Sequence, residues 1–152
     1  MTMDEIIDFV NELESVLTLQ PQPGDGTPEI SWGDTFFYYS PDGVVPTTGQ
    51  PFATIVTKEY PGEERSGLDR AGAFRVNVAS GKEAFVRWTA RQPRDCAGIA
   101  APGVPDTVLP HPVYGSAGWL AVLSPGTNTD DVVQELLFSA YRLARTRLER
   151  KR

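Results

Sequence analysis

The chain has 152 residues, the usual size of one globular domain, and we predict a single domain over residues 1–152. Hydrophobic residues make up 40% and charged residues 22%, a balance that excludes a disordered protein. One cysteine and one histidine exclude a disulfide framework, a multi-cysteine zinc or iron–sulfur centre and a histidine-rich metal site. We therefore predict no metal and no other cofactor.

The net charge of −6 is unevenly distributed along the chain. Residues 142–152 hold six basic side chains and one acidic side chain, whereas residues 1–141 hold 8 basic and 19 acidic ones. An acidic body repels the phosphates of nucleic acids. Basic residues at the C-terminal end of a helix are also favoured by the helix dipole. We therefore interpret the tail as a solvated helix end and do not expect nucleic acid as the main partner.

No targeting segment is visible in the sequence. The first residues, MTMDE, lack the basic and apolar regions of a secretory signal. No run of apolar residues approaches the roughly 18 that a membrane span needs. These observations lead us to expect a cytoplasmic protein without membrane contact.

Apolar periodicity and turn residues predict alternating helical and extended segments. Capping boxes at Thr2–Glu5 and Ser80–Glu83 predict two helix starts, and Asp130 and Asp131 favour a third. Gly33 predicts a turn or bulge inside an aromatic strand. The predicted elements, in chain order, are a helix over 3–14, strands over 15–20, 29–39, 52–60 and 74–78, a helix from Ser80 to about Arg91, a short extended piece over 106–109, a strand over 118–123 and a helix from Asp130.

Most neighbouring strands in this order are joined by loops rather than by crossover helices. Such connections favour antiparallel pairing. We therefore predict an α+β fold, with an antiparallel or mixed sheet of about five to six strands and with N-terminal, middle and C-terminal helices in a two-layer sandwich.

The aromatic strand predicts a sheet that is covered on both faces. Phe36 and Tyr38 point to one side and Phe37 and Tyr39 to the other, so apolar rings occupy both. Three interpretations remain open for the second face. Helices cover it, or it forms a subunit interface in a homodimer, or it lines a ligand pocket.

Two residues are candidates for acid–base chemistry. His111 is flanked by Pro110 and Pro112, which fix its backbone, and a histidine of near-neutral pKa is the commonest general base. Asp34 lies between Gly33 and an apolar strand, where burial would raise the pKa of a carboxyl. The alternative for both is structural: the imidazole or the carboxylate hydrogen-bonds nearby backbone and holds a loop.

Candidate ligand-binding residues are the rings and lone cations of the strands. Rings supply contact area, and a cation on the sheet supplies orientation through carboxylate or phosphate recognition, unless it is simply solvated. These candidates are Trp32, Tyr38, Lys58, Arg75, Tyr114 and Trp119. Phosphate-loop, dinucleotide-binding, serine-hydrolase and zinc-protease motifs are absent from the sequence.

Several runs carry a resemblance to known families. The string SWGDTFFYY at 31–39, with flanking runs over most of the chain, resembles a small actinobacterial family that is known only as a domain of unknown function. His111-Pro112 and Gly118-Trp119, followed by the last helix, are more distantly similar to the YjbR/MmcQ family. That resemblance implies an α+β fold like that of CyaY-type proteins, and a DNA-binding role by inference.

The leading functional hypothesis is a module that binds a small molecule or a protein partner on the aromatic sheet face. A cofactor-independent isomerase, cyclase or hydrolase that uses Asp34 and His111 is the first alternative. A DNA-binding protein of the YjbR/MmcQ type, using the basic C-terminal helix, is the second.

Overall fold

A computed structural model describes residues 1–64, 66–96 and 103–151. Over these ranges the protein is an α+β fold with three α-helices and one six-stranded antiparallel sheet, which confirms the predicted class. The elements are α1 (Met3–Asn11), β1 (Val16–Leu19), β2 (Thr35–Tyr39), β3 (Ala53–Val56), β4 (Arg75–Val78), α2 (Gly81–Thr89), β5 (Val108–Pro110), β6 (Leu120–Leu123) and α3 (Asp130–Arg150). Short 3₁₀ segments occupy Glu29–Ser31, Pro93–Cys96 and Gly115–Ala117.

The strand order is β1-β2-β3-β4-β6-β5, so β4 lies inside the sheet between β3 and β6. Val76 of β4 stands opposite Ile55 on one side and Val122 on the other. β4 and β6 are distant in sequence, and the chain between them forms α2, β5 and the loops that flank it. β4 therefore pairs with a strand that the chain reaches only after α2 and β5.

The two predicted capping boxes have different outcomes. At α1 the Glu5 amide donates to Thr2 Oγ1 at 3.1 Å and the Thr2 amide to Glu5 Oε1 at 2.9 Å, as predicted. At α2 the predicted box is wrong, because the Ser80 side chain makes no capping bond. Ser80 has helical dihedrals and is followed by Gly81 at φ +86°. An N-cap residue needs an extended backbone for its hydroxyl to reach the next amides.

The aromatic strand is shorter than the predicted 29–39. Glu29–Ser31 forms a 3₁₀ turn, and Gly33 adopts φ +86°, a conformation that favours glycine. β2 therefore begins only at Thr35. The turn that Gly33 predicted is correct, but it separates the strand from the preceding segment instead of bending it.

One face of the sheet carries the main core. All three helices contribute buried side chains to it, among them Ile6 of α1, Phe85 of α2 and Leu137 of α3. They pack against Phe37 and Val76 from the strands. We call this the helix-covered face. The interpretation that helices cover both faces of the sheet is therefore wrong for the residues that the structure describes.

The opposite face, which we call the loop-covered face, carries Phe36, Arg75 and Asn77. The alternation along 74–78 is as predicted, but Arg75 is 3% and Asn77 2% exposed, so neither is a solvated outer residue. Loops around Tyr60 and His111 cover them. Among the described helices, none combines the length and apolar character that a membrane span requires.

A candidate ligand cavity on the loop-covered face

A cavity of about 430 Å³ lies between the loop-covered face and its loops. Strands β2, β3 and β4 contribute the floor, and the loops before β3, after β3 and after β5 contribute the walls. The lining residues are Phe36, Gln50, Pro51, Thr54, Val56, Tyr60, Pro61, Glu63, Arg75, Asn77, His111, Val113, Tyr114 and Trp119. Most of this lining is aromatic or aliphatic, and its polar residues come from the strands (Thr54, Arg75 and Asn77) and from the loops (Gln50, Glu63 and His111).

A hydrogen-bonded chain of four side chains crosses the floor. Glu63 Oε1 accepts from Arg75 Nη2 at 2.7 Å, and Asn77 Oδ1 accepts from Arg75 Nε at 2.7 Å. Asn77 Nδ2 in turn donates to Thr54 Oγ1 at 3.0 Å. Alternation places these β3 and β4 side chains on one face, and register brings Asn77 directly opposite Thr54. Glu63 reaches them from the loop after β3.

The Arg75–Glu63 ion pair is buried, with side-chain exposures of 3% and 7%. Burying two charges costs several kcal/mol of desolvation per ion, which their attraction offsets only with good geometry and further hydrogen bonds. Asn77 supplies one such bond. Arg75 Nη1, however, has no hydrogen-bond partner among the described residues. The floor is therefore polar, net neutral and incompletely satisfied.

His111 holds the loop that forms one wall of the cavity. Its Nδ1 accepts from the amides of Val113 at 3.0 Å and Tyr114 at 2.9 Å. Burial, with a smaller effect from the Arg75 charge, lowers the pKa of His111 to about 3. The imidazole is therefore neutral at pH 7 and carries its proton on Nε2. That nitrogen lies 3.5 Å from Arg75 Nη2.

Aromatic rings form the wall beside His111. The rings of His111 and Tyr114 are 4.9 Å apart, and the ring of Trp119 lies 6.2 Å from His111 and 6.4 Å from Tyr114. Tyr114 is 56% exposed, so it lies at the rim of the cavity. An aromatic wall over a polar floor suits an amphipathic ligand.

Asp34 is the centre of a separate cluster. Its Oδ1 accepts from the Thr57 amide at 2.8 Å and the Thr57 hydroxyl at 2.9 Å, and lies 2.9 Å from Lys58 Nζ. Its Oδ2 accepts from the Tyr60 hydroxyl. Lys58 Nζ also donates to the Trp32 carbonyl at 2.8 Å. These contacts tie the start of β2 to the end of β3, which is the structural alternative considered for Asp34.

Tyr60 is the link between the two sites. It lines the cavity, while its hydroxyl is bonded to Asp34. Burial, followed by the hydrogen bond to Asp34, raises the pKa of Tyr60. Asp34 itself is 1% exposed and is not among the described lining residues, so it reaches the cavity only through Tyr60.

The structure thus divides the predicted site residues into two groups. Arg75, His111, Tyr114 and Trp119 line the cavity together. The other four predicted residues do not belong to the described lining of the cavity: Trp32, Asp34, Tyr38 and Lys58. Tyr38 is half-buried further along β2, where burial raises the pKa of its hydroxyl.

Sequence reasoning missed Glu63, Asn77 and Thr54 as site residues. Asn77 could have been found, because it shares the face of Arg75 by strict alternation. Thr54 follows once the β3–β4 register is known, and the sequence does not give that register. Glu63 lies in a polar loop where no periodicity indicates which acidic residue turns inward.

A second depression, of about 450 Å³, lies between α2 and α3. Its rim carries an Arg87–Glu135 ion pair at 2.9 Å whose side chains are 66% and 49% exposed. Ion pairs this exposed contribute little to the free energy of folding. The cavity on the loop-covered face is the better candidate, because its ion pair is buried.

The fold and the cavity define a small α+β protein with one candidate ligand site on its described loop-covered face. The chain belongs to the family of unknown function DUF6194, whose family model matches residues 1–152. This confirms the expected membership of a family of unknown function. Neither a curated protein nor a solved structure matches the chain.

Proposed function

We propose that the protein is a small-molecule binding module whose ligand occupies the cavity on the loop-covered face. The observation that carries the proposal is a cavity of about 430 Å³ with a buried Arg75–Glu63 pair at its floor and rings along its wall. Ligand pockets commonly measure about 300–1,000 Å³ and combine apolar walls with a few polar groups that fix orientation.

Binding is favoured over acid–base catalysis by the state of His111. A general base works best with a pKa near the working pH, and the pKa of His111 is lowered to about 3. Its Nδ1 already accepts two backbone amides. Asp34 is saturated by Thr57, Lys58 and Tyr60. Both candidate catalytic residues therefore have structural contacts that account for them.

The other expectations from the sequence stay predictions. They are a cytoplasmic location, the actinobacterial origin, the YjbR/MmcQ similarity with its DNA-binding role, and a protein partner or homodimer on the same face. In α3, Arg145 pairs with Glu149 at 3.0 Å and Arg142 lies over the Phe138 ring at 5.9 Å. These contacts use part of the charge and surface that the nucleic-acid alternative requires.

A thermal-shift screen of metabolites tests the proposal, with Tyr114→Ala as the site variant and Phe138→Ala as the control. Both rings are largely exposed, at 56% and 43%, but only Tyr114 lines the cavity. A ligand at about 100 times its Kd stabilises the folded state by about 2.7 kcal/mol, which raises Tm by several degrees.

We expect the rise in Tm in the unaltered protein and in F138A, and at most a small rise in Y114A. A library that yields no stabilising compound would count against the proposal. So would compounds that stabilise Y114A as much as the unaltered protein.

A further inference from the structure

We infer that the ligand of this cavity carries an uncharged head group that accepts hydrogen bonds, a carboxamide or ketone, on an apolar body. The inference rests on the proposed function, because it assigns a chemical class to the ligand of the same site. It replaces the carboxylate or phosphate recognition that a lone arginine on a strand suggested.

The lining of the cavity has no unpaired charge among the described residues. The ionisable side chains among the described lining residues are Tyr60, Glu63, Arg75, His111 and Tyr114. Glu63 neutralises Arg75 at 2.7 Å, and both are buried. Burial lowers the pKa of His111, so its ring is neutral at pH 7, and the two tyrosines offer hydroxyl groups instead of a counter-charge. An arriving carboxylate or ammonium would lose its water without gaining a free counter-charge, which is costly.

Within the described residues, the polar groups of the floor leave hydrogen-bond donors without partners. Glu63 Oε1, Asn77 Oδ1 and Thr54 Oγ1 each already accept one hydrogen bond from a neighbouring side chain of the floor. Donors remain, because an amide nitrogen carries two hydrogens and Asn77 Nδ2 uses one on Thr54. Arg75 Nη1 has no partner among the described residues. These donors favour a ligand group that accepts hydrogen bonds.

His111 adds a donor on the same side. Since its Nδ1 accepts the amides of Val113 and Tyr114, the proton of the neutral ring is on Nε2. Nε2 and Arg75 Nη2, 3.5 Å apart, are both donors and do not satisfy each other. A carbonyl oxygen offers two lone pairs to such a pair of donors. A phosphate or carboxylate would also face the Glu63 carboxylate and be repelled.

Three probes of one shape distinguish these cases: 2-naphthylacetamide, 2-naphthylacetate and 2-(2-naphthyl)ethylammonium. Their dissociation constants are measured by titration calorimetry at pH 7 with the full chain. We expect the amide to bind at least ten-fold more tightly than either charged analogue. Tyr114→Ala should weaken its binding, which places it in the cavity.

Glu63→Gln should change which probe binds most tightly, a change that a merely apolar pocket would not show. It leaves the Arg75 charge uncompensated, so the preference should turn toward the acetate by at least ten-fold relative to the amide. Glu135→Gln is the matched control, because it removes a carboxylate from an exposed arginine pair outside the cavity. The order of the three dissociation constants in E135Q should be the same as in the unaltered protein.

The outcomes separate the two proposals. Preference for the amide, with the switch in E63Q, supports the inference, and if E63Q does not fold the ranking on the unaltered protein decides alone. Cavity binding in which a charged probe equals or exceeds the amide overturns the neutral head group and leaves the binding module standing. If no probe binds and the metabolite screen is also empty, the proposed function fails and the inference fails with it.

Discussion

The two faces of the sheet are built from the same strands but solve different physical problems. On the helix-covered face, Phe37, Ile55, Val76 and Val122 are fully buried and meet apolar helix side chains. On the loop-covered face, Arg75 and Asn77 of the same strands are equally buried but meet polar partners and a cavity. Burial alone therefore does not distinguish an apolar core face from a face that carries a cavity. The chemical nature of the buried groups distinguishes the two faces.

The helix-covered face gains free energy from apolar area removed from water. The loop-covered face retains a buried ion pair whose replacement by apolar residues of similar volume is often neutral or stabilising in other proteins. A polar floor beneath a cavity is what the proposed binding function predicts, and it is not what maximal stability would favour. Paired substitutions on the two faces test this difference.

The largest loss of stability is expected at Phe37, and its neighbour Phe36 on β2 provides the comparison. Phe37 is fully buried in the helix-covered core, so Phe37→Ala should lower the free energy of unfolding by about 3–5 kcal/mol. Phe36→Ala, one residue away, removes a half-buried ring from the cavity floor and should cost about 1 kcal/mol while weakening binding of the proposed ligand. Urea unfolding measures both. Equal losses at the two positions would show that the faces are energetically alike.

A smaller loss is expected at the Asp34 cluster. Asp34→Ala leaves the Thr57 amide, the Tyr60 hydroxyl and Lys58 without their acceptor, and should cost about 2–4 kcal/mol. Asp25→Ala is the control, because this exposed carboxylate also accepts local hydrogen bonds. It should leave Tm unchanged. A tolerated D34A would return Asp34 to consideration as a catalytic group.

The smallest effect is a pH dependence from His111, the only histidine of the chain. Its pKa falls from 6.5 in the unfolded chain to about 3 in the folded protein. Between these values only the unfolded chain takes up the proton, so stability is lost as pH falls from about 6.5 toward 3. From pH 7 to pH 5 the loss should be about 1–2 kcal/mol.

His111→Asn isolates this contribution, because an asparagine oxygen can accept the Val113 and Tyr114 amides without titrating. The unaltered protein should lose about 1–2 kcal/mol more than H111N between pH 7 and pH 5 in urea unfolding. Parallel pH profiles would mean that His111 is protonated in the folded state at pH 5.

The fold was predictable because periodicity and turn residues are local signals. The alternation of β4 and the Thr2–Glu5 box appear in the structure as predicted. Errors arose where the backbone conformation of a glycine decides the outcome. Gly81 displaces the expected cap at Ser80, and Gly33 shortens the aromatic strand. A positive φ is permitted by the residue type but not determined by it.

The site was only half predictable, because a cavity is assembled from distant segments. Arg75, His111 and Trp119 were identified as unusual residues on strands and in loops, and the cavity brings them together. Their partner Glu63 depends on the path of a loop, and the sequence does not record that path. The charge of the site therefore could not be derived, since a lone arginine and a neutralised one have the same sequence signature.

The strand order has a consequence for how the nascent chain folds. When β4 leaves the ribosome, one of its edges can pair with β3, but its other neighbour, β6, begins only at Leu120. Until then β4 presents unpaired amides and carbonyls, which are a template for association with other chains. Pairings between such distant segments are slow to form. The edge of β4 along which Arg75 stands opposite Leu123 therefore stays unpaired until Leu120 has been synthesised, and chaperone binding in that interval would protect the yield of folded protein.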